Sequence, residues 1–354
     1  MELDKWIEKG IICVMDFAVF DHFDEDLRGE WNALLKESVS NVPFLQFDYL
    51  KTWWHHLGGG EWQQPVRLAI VTARENGKLT GIAPLFAARH EGVNSLLILG
   101  SIEISDFLDL IVRENDEQAF ISGLLSFART VLAEEYGVER LDLYNVLEES
   151  TTVGAIHQAA AELGLPVEQN RLQHSPYILL PGDWEAYLAG IDKKQRHEIR
   201  RKMRRAGESE FTVGWHLVED AGQLETAGDE LLRLMAQEKD KEKFLTPEMQ
   251  MQMKALMKSA MDTGTLQLAF LTVNGSNAAA YMNFDYDNRI WVYNSGFDYT
   301  FMDYSPGWVL LGHLLKWANE NGRKVFDFLR GNEDYKYRFG AIDRFIVRLT
   351  VSLA

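Results

Sequence analysis

Apolar and polar positions follow two periods along this chain, one typical of strands and the other of helices. Apolar runs rich in β-branched and aromatic residues predict strands over residues 11–18, 66–74, 79–88, 94–99, 106–113, 139–144, 266–273, 277–286, 289–296, 324–329 and 343–352. Helical spacing of apolar residues predicts helices over residues 24–40, 46–57, 116–135, 150–163, 183–207, 220–240, 247–262 and 306–321. Strands interleaved with helices in this way predict an α/β (α+β) fold.

Two stretches of the chain repeat one order of elements. Residues 66–89 and 266–287 each read as a strand, a glycine-containing turn and a second strand. The turns contain Asn76-Gly77 and Asn274-Gly275, and this dipeptide supplies the positive φ angles of a tight hairpin.

A further strand with a single aspartate follows each hairpin, and a helix precedes it. Residues 139–146 carry Asp142 and residues 324–331 carry Asp327. The economical interpretation is an internal duplication of one α/β domain. We therefore predict two domains, residues 1–175 and residues 176–354.

Charge and composition narrow the function classes. The 354 residues include 36 basic and 53 acidic side chains, a net charge of −17, which argues against DNA as a partner. The single cysteine, Cys13, excludes an internal disulfide framework and fits a reducing compartment. The first residues do not form a basic and then apolar leader, and no apolar run is long enough to cross a bilayer. We therefore expect a cytoplasmic protein with no integral membrane segment.

Ser305-Pro306-Gly307 opens the helix predicted over residues 306–321. Serine is a good N-cap, and proline suits the first helical position because its missing N–H has no partner there. Glycine leaves the first turn without a side chain, so the free N–H groups form an anion site. An ordinary well-capped helix is the alternative. The matching first-half helix begins near residues 113–117 with three carboxylates, which repel phosphate, so we expect a phosphorylated cofactor only in the second half.

A polar and aromatic cluster follows the Asp327 strand. Asp327 interrupts an apolar run, so its carboxylate must be paired or must border a cleft. Glu333, Tyr335 and Lys336 follow the carboxyl end of the strand, where ligands of open α/β sheets gather. Asp142 holds the matching place in the first half, which suggests an architectural role for both aspartates and favours Glu333 for chemistry.

Residues 193–205 form a basic segment in this acidic chain. Eight of its thirteen residues are lysine or arginine. On a helix, Arg196, Arg200 and Arg204 share one stripe, where like charges repel. Either an anionic partner, the acidic surface of the protein or internal salt bridges compensate this repulsion.

Taken together, these motifs resemble a family of GNAT-superfamily acyltransferases. The order K-x-R-x-x-I-R-R (194–201), three strands, Ser-Pro-Gly, and D-F-L-x-G-x-E-x-Y-K (327–336) is similar to the CelD/BcsL, or cellulose-biosynthesis-type, acetyltransferases. These are related to the Fem-type aminoacyltransferases. The resemblance covers nearly the whole chain and implies two tandem GNAT-like domains, each a mixed, mostly antiparallel sheet flanked by helices. It also implies that the first domain is degenerate.

The resemblance further implies an acyl-CoA site and direct acyl transfer. In such enzymes a carboxylate takes the proton of the acceptor and a tyrosine protonates the leaving thiolate. Glu333 and Asp327 are the carboxylate candidates, and Tyr335 is the candidate acid, with Tyr293 behind it. The residues expected to bind the cofactor are Ser305, Pro306, Gly307, Tyr293 and Ser295. Those expected to bind anionic groups of substrate or cofactor are Lys194, Arg196, Arg200, Lys336 and Arg330.

The donor and the acceptor stay open at this stage. The common GNAT phosphate loop, Q/R-x-x-G-x-G/A, is absent, so the donor is acetyl-CoA, a longer acyl-CoA or, as in Fem relatives, an aminoacyl-tRNA. The acidic overall charge counts against tRNA. The expected acceptor is a sugar, a polysaccharide precursor or an amine, with no metal. A non-catalytic GNAT-like binding protein of a polysaccharide system is the third possibility.

Overall fold

A computed structural model describes residues 15–63, 65–208 and 212–354. Its strands are β1 (Asp16–Phe20), β2 (Arg67–Glu75), β3 (Lys78–His90), β4 (Val93–Ile98), β5 (Ile111–Val112), β6 (Arg140–Leu147), β7 (Val167–His174), β8 (Tyr177–Leu179), β9 (Val213–Leu217), β10 (Leu266–Val273), β11 (Ser276–Tyr286), β12 (Arg289–Phe297), β13 (Val325–Asp327) and β14 (Phe345–Ser352). Its helices are α1 (Leu27–Lys36), α2 (Phe47–Gly60), α3 (Glu114–Phe127), α4 (Ala133–Tyr136), α5 (Thr151–Leu163), α6 (Trp184–Gly190), α7 (Lys193–Gly207), α8 (Leu224–Met235), α9 (Lys239–Phe244), α10 (Pro247–Asp262), α11 (Pro306–Glu320) and α12 (Asp334–Arg338). None of these helices is both long and apolar enough to span a bilayer.

Two predicted helices are each divided in the structure. The helix predicted over 183–207 breaks before Asp192, whose side chain accepts hydrogen bonds from the N–H groups of Lys194 and Gln195 and so begins a second helix. The helix predicted over 220–240 ends at Met235, and α9 starts separately.

Strand predictions were less accurate where strands are short. The strand predicted over 324–329 is only Val325–Asp327, and the one predicted over 106–113 is only Ile111–Val112. Three strands and one helix were missed because they are brief or polar: β7, β8, β9 and α12. Residues 11–14 of the first predicted strand, and Cys13, lie outside the described residues.

The described residues form two compact units. The first unit comprises the described residues up to Phe47, Trp62–Arg171 and Val347–Ala354; the second comprises Asp48–Glu61 and Leu172–Ile346. The predicted division at residue 175 therefore differs from the observed one by a few residues and by two exchanged segments. The last strand of the chain joins the first unit, and most of α2 joins the second. Local sequence patterns carry no signal for such long-range exchange.

The two sheets repeat one topology. The first has the order β1-β2-β3-β4-β6-β14-β7, with β5 pairing with β3, and the second has the order β8-β13-β12-β11-β10-β9. In each, a hairpin and a third antiparallel strand are followed by a parallel pair, β4 with β6 and β12 with β13. Asn76 and Asn274 have the positive φ angles predicted for the hairpin turns. The predicted fold class, two mixed sheets flanked by helices, is confirmed.

A buried core in the second unit holds α11 against the sheet. Apolar residues of α11 recur at helical spacing and are inaccessible to solvent, including Val309, Leu310, Leu314 and Ala318. They pack with the face of the sheet that carries Ala269 and other small or aromatic residues. This packing fixes where the first turn of α11 lies.

The aspartates predicted at matching strand positions are both buried and both paired with arginine. Asp142 accepts two hydrogen bonds of 2.8 Å from Arg348. Asp327 is paired with Arg344 and lies 3.3 Å from Arg289. Both carboxylates have 0% exposed surface, so each ion pair compensates a charge that could not otherwise be buried.

We predict that Arg344→Met destabilises the second unit by about 3–5 kcal/mol, because it leaves the buried carboxylate of Asp327 without its main partner. Adding Asp327→Asn should recover part of this loss. Denaturant unfolding of the single and double variants measures both effects. Arg204→Met is the matched control, because the Arg204–Glu208 pair is 3.9 Å long and exposed, and its cost should stay below about 1 kcal/mol. Equal costs at both positions would contradict this interpretation.

A third buried carboxylate lacks such compensation. Asp109 accepts hydrogen bonds from the hydroxyls of Ser40 and Ser150 and, at 2.8 Å, from the N–H of Leu110. These contacts are all with neutral groups. Burial raises the pKa of Asp109, and the hydroxyl and N–H bonds only partly oppose the shift.

This raised pKa predicts a pH dependence. A carboxyl whose pKa is higher in the folded than in the unfolded state destabilises the fold as pH rises through the folded-state pKa. Asp109→Asn should therefore raise the melting temperature relative to the wild type at about pH 8, and the difference should shrink toward about pH 5. Thermal melts across this range test it, and a difference that grows at lower pH would contradict it.

Candidate active site

Strands β12 and β13 separate soon after they pair. Their parallel contact covers only Arg289–Trp291 and Val325–Asp327, although β12 continues to Phe297. Beyond this point β12 lies against the end of α8, and a Cβ on Gly296 would come within 2.4 Å of the backbone nitrogen of Met235. Only glycine permits this close approach of β12 to α8. The chain that follows β13 does not pair with the rest of β12.

A cavity of about 410 Å³ occupies this part of the second unit. Its wall is mainly aromatic and apolar, with two lysines and two glutamates. The lining residues are Lys202, Glu238, Lys241, Tyr281, Ser295, Phe297, Met302, Ser305, Pro306, Gly307, Trp308, Leu311, Glu333, Tyr335 and Phe339. Such a wall, mostly apolar with a few polar groups, is typical of small-molecule sites.

The first turn of α11 faces this cavity. Ser305 precedes the helix as predicted, but it adopts a left-handed conformation and its side chain makes no capping hydrogen bond. Its carbonyl oxygen accepts from the N–H of Val309 at 3.0 Å. The N–H groups of Gly307 and Trp308 come before this first helical hydrogen bond. No residue of α11 lies four positions before either of them, so the helix itself supplies no acceptor for these two groups. The predicted capping hydrogen bond from the Ser305 side chain was therefore wrong, whereas the open first turn of the helix is present.

Tyr281 and Tyr335 lie on the cavity wall together with the carboxylate of Glu333. Burial raises the pKa of Tyr335 well above its ordinary range, and the proximity of Tyr281 and Glu333 raises it further. Burial, with a smaller effect of Glu333, also raises the pKa of Tyr281. Both side chains therefore stay protonated at neutral pH and can donate a proton or a hydrogen bond, but cannot act as bases.

Glu333 lies on the cavity wall just before α12. Its side chain is 57% exposed, and one carboxylate oxygen lies 2.9 Å from Nζ of Lys336. The carboxylate packs over Gly331, where a Cβ would lie 2.4 Å from it. Glu333 is the one candidate base that the structure places in the cavity wall, together with the candidate acid Tyr335.

Asp327 is not among the lining residues, and its contacts favour a structural role. Besides its arginine partners, Oδ1 accepts the backbone N–H of Leu329 at 3.0 Å. Proton transfer to this carboxylate would break a buried ion pair. These contacts favour Glu333 over Asp327 as the candidate base.

The residues predicted to bind anions lie in several places. On α7, Arg196 donates to the carbonyl of Ala189 at 3.2 Å, Arg200 pairs with Glu185, and Lys194 is exposed. None of the three lines the cavity. Lys202 does so instead: its Nζ lies 4.3 Å from the ring centre of Trp308 and 3.6 Å from Glu198.

Three more predicted site residues also lie away from the cavity wall: Lys336, Arg330 and Tyr293. Lys336 is 2% exposed and its ammonium binds backbone carbonyls. Tyr293 is the bulged residue of β12, where the register with β11 shifts, and its ring packs against Phe284 at 5.3 Å. Its neighbour Ser295 does line the cavity, and the carbonyl of Ser295 accepts from Lys241 at 2.8 Å.

Several cavity residues were absent from the predicted site. Trp308 and Leu311 continue the face of α11 that begins at Gly307, so helical spacing could have found them. Tyr281 lies in the strand predicted over residues 277–286 but was not among the predicted site residues. Glu238 and Lys241 were missed because one continuous helix was predicted over residues 220–240, whereas the structure ends α8 at Met235 and begins α9 at Lys239.

One group of three potential metal ligands occurs among the described residues: His90, Glu91 and Asp142. Two arginines lie in the same place. Arg348 is 2.6 Å from Glu91, and Arg140 is 3.0 Å from Asp142. These guanidinium groups already supply positive charge to both carboxylates, so the chemistry of the group does not favour a cation.

Comparison with known proteins identifies the type of domain in this part of the chain. The family model described as acetyltransferase (GNAT) domain matches residues 193–337, which contain α11 and all the cavity-lining residues except Phe339. No curated protein matches the chain. The GNAT-type domain supports acyltransferase activity in general, whereas the assignment to the CelD/BcsL family stays a prediction.

Solved structures show the same fold at low sequence identity. FemX has a TM-score of 0.65 and 13% identity, over 94% of this chain and 97% of that one. A conserved protein of unknown function from Bacteroides thetaiotaomicron has a TM-score of 0.61 and 11% identity, over 95% and 100%. A tandem GNAT protein from the clavulanic acid biosynthesis pathway has a TM-score of 0.51 and 13% identity, over 96% and 99%. The chain therefore has a tandem GNAT-like fold.

Proposed function

We propose that the second unit is an acyl-CoA-dependent N- or O-acyltransferase. The observation that carries the proposal is the cavity of about 410 Å³, which brings the open first turn of α11 together with Glu333 and Tyr335. A helix N-terminus suits the diphosphate of CoA, and the carboxylate and phenol suit proton transfer. The match of residues 193–337 to the GNAT domain supports this reaction class.

The proposed reaction is direct transfer within this cavity. The acceptor nitrogen or oxygen attacks the thioester carbon, a C–N or C–O bond forms, and the C–S bond breaks. Glu333, directly or through water, takes the acceptor proton. Tyr335 gives its proton to the departing thiolate; burial raises the pKa of this hydroxyl, so it carries that proton at neutral pH.

Gly307 provides a test of the anion site. A Cβ at this position would lie 3.4 Å from the ring of Phe297, an ordinary contact, so Gly307→Ala should fold and bind almost normally. Gly307→Asp adds a negative charge where the diphosphate would lie. We expect acetyl-CoA affinity to fall by about tenfold or more for aspartate and by less than about threefold for alanine.

Isothermal titration calorimetry with acetyl-CoA and with CoA measures these affinities. Equal weakening by both substitutions would show that bulk, not charge, matters. Absence of binding to the wild-type protein at about millimolar ligand would overturn the acyl-CoA proposal itself.

An aminoacyl-tRNA donor is the second candidate. It is favoured by the Fem-type resemblance and by α7, where Lys193 and Lys194 are exposed. It predicts tRNA binding that weakens steeply with salt. Changing Lys194, Arg196, Arg200 and Arg201 to glutamate should then abolish binding in a filter or gel-shift assay, whereas unchanged binding would exclude this role for α7.

The proposal also includes an acceptor class and a location. A sugar, a polysaccharide precursor or an amine is the expected acceptor, and cytoplasm the expected location. If Asp327→Asn combined with Glu333→Gln leaves function in cells intact, a non-catalytic binding role replaces the transferase.

A further inference from the structure

We propose that Lys336 is a positioning residue that orients the Glu333 carboxylate for proton transfer. The inference rests on the proposed function of the cavity and assigns Lys336 a different role from the substrate binding that the sequence suggested. It follows from the contacts of one buried ammonium group.

The Lys336 ammonium has three close oxygen partners: two backbone carbonyls accept hydrogen bonds from it, and the Glu333 carboxylate forms an ion pair with it. Nζ lies 2.6 Å from the carbonyl oxygen of Arg330, 3.1 Å from that of Gly331 and 2.9 Å from Oε2 of Glu333. The side chain is 2% exposed overall. A lysine ammonium has no further donor to offer a ligand once these bonds are made. Lys336 therefore acts on the cavity through Glu333.

The segment before α12 is shaped to receive the carboxylate. Gly331 has a φ of 105°, and a Cβ there would come within 2.4 Å of Oε2 of Glu333. Its N–H donates to the carbonyl of His174 at 2.9 Å. Gly331 thus leaves room for the Glu333 carboxylate on one side, while Lys336 binds that carboxylate and the carbonyl of Gly331 together. The lysine links the conformation of the backbone to the position of the base.

The contact is needed because Glu333 is otherwise held loosely. A half-exposed glutamate has several rotatable bonds, and fixing them costs up to about 2 kcal/mol of conformational entropy. An ion pair whose ammonium is buried can offset this cost, whereas a pair that is exposed on both sides contributes little. The Arg338–Asp334 pair on the same helix is of the exposed kind, 3.6 Å long with side chains 54% and 90% exposed.

The test is a double-mutant cycle with Lys336→Met and Glu333→Gln. CoA release is measured with acetyl-CoA as donor and glucosamine as probe acceptor, and KM is determined for each. A misplaced catalytic group costs up to about a hundredfold in rate. We expect Lys336→Met to lower kcat by about 10- to 100-fold, with acetyl-CoA affinity unchanged. In the presence of Glu333→Gln, the same change should cost less than about threefold.

Two further variants separate positioning from general stability. Lys336→Arg keeps the charge and should restore at least part of kcat, whereas Arg338→Met, the matched control, should leave kcat and KM unchanged. If Lys336→Met loses its fold, shown by lost acetyl-CoA binding, then Lys336→Arg with and without Glu333→Gln repeats the cycle.

Additive effects on kcat in the cycle, or an effect on KM alone, would overturn the positioning role. That result is distinct from failure of the proposed function, in which the wild-type protein neither binds acetyl-CoA nor releases CoA from it.

Discussion

The Asp327–Arg344 ion pair determines where the second sheet stops and where the site begins. Asp327 is the last residue of a three-residue strand, and its carboxylate binds both the arginine and the N–H of Leu329. Leu329 then adopts a positive φ of 57°, which turns the chain away from β12. The buried ion pair and the turn at Leu329 thus coincide with the end of the parallel pairing. The cleft between the separated strands exists because this pairing ends where it does.

The turn at Leu329 affects the position of the residues that follow it in the chain. Gly331 and Lys336 arrange the next few residues, and Glu333 and Tyr335 consequently reach the same cavity as the first turn of α11. The site therefore combines two rigid supports. One is α11, held by its buried apolar face, and the other is a short polar segment held by buried ionic contacts. Rigid support of this kind is what acid–base chemistry requires, because small displacements of the reacting groups are costly.

Sequence patterns predicted the hairpins, the long helices and the repeated topology because these depend on local periodicity and on turn residues such as Asn274. They also brought Ser305, Gly307, Glu333 and Tyr335 together as candidates, and these do line one cavity. The same reasoning could not tell that Lys336 points inward or that Lys202, rather than Lys194, faces the cavity. The direction of Lys202 depends on how α7 packs, and that of Lys336 depends on the backbone carbonyls near its ammonium. The spacing of residues along the chain encodes neither.

The repeated topology also bears on which unit is proposed to carry the chemistry. Each unit keeps a buried aspartate at the end of a parallel pair and supplies it with an arginine, Arg348 for Asp142 and Arg344 for Asp327. This shared feature is therefore structural. The differences lie in the residues around it: α3 begins with Glu114, Asp116 and Glu117, whereas the first turn of α11 contains no charged side chain. Acidic residues stabilise a helix N-terminus but repel phosphate. The electrostatics of the two helix starts thus favour the second unit as the one that binds an anionic cofactor.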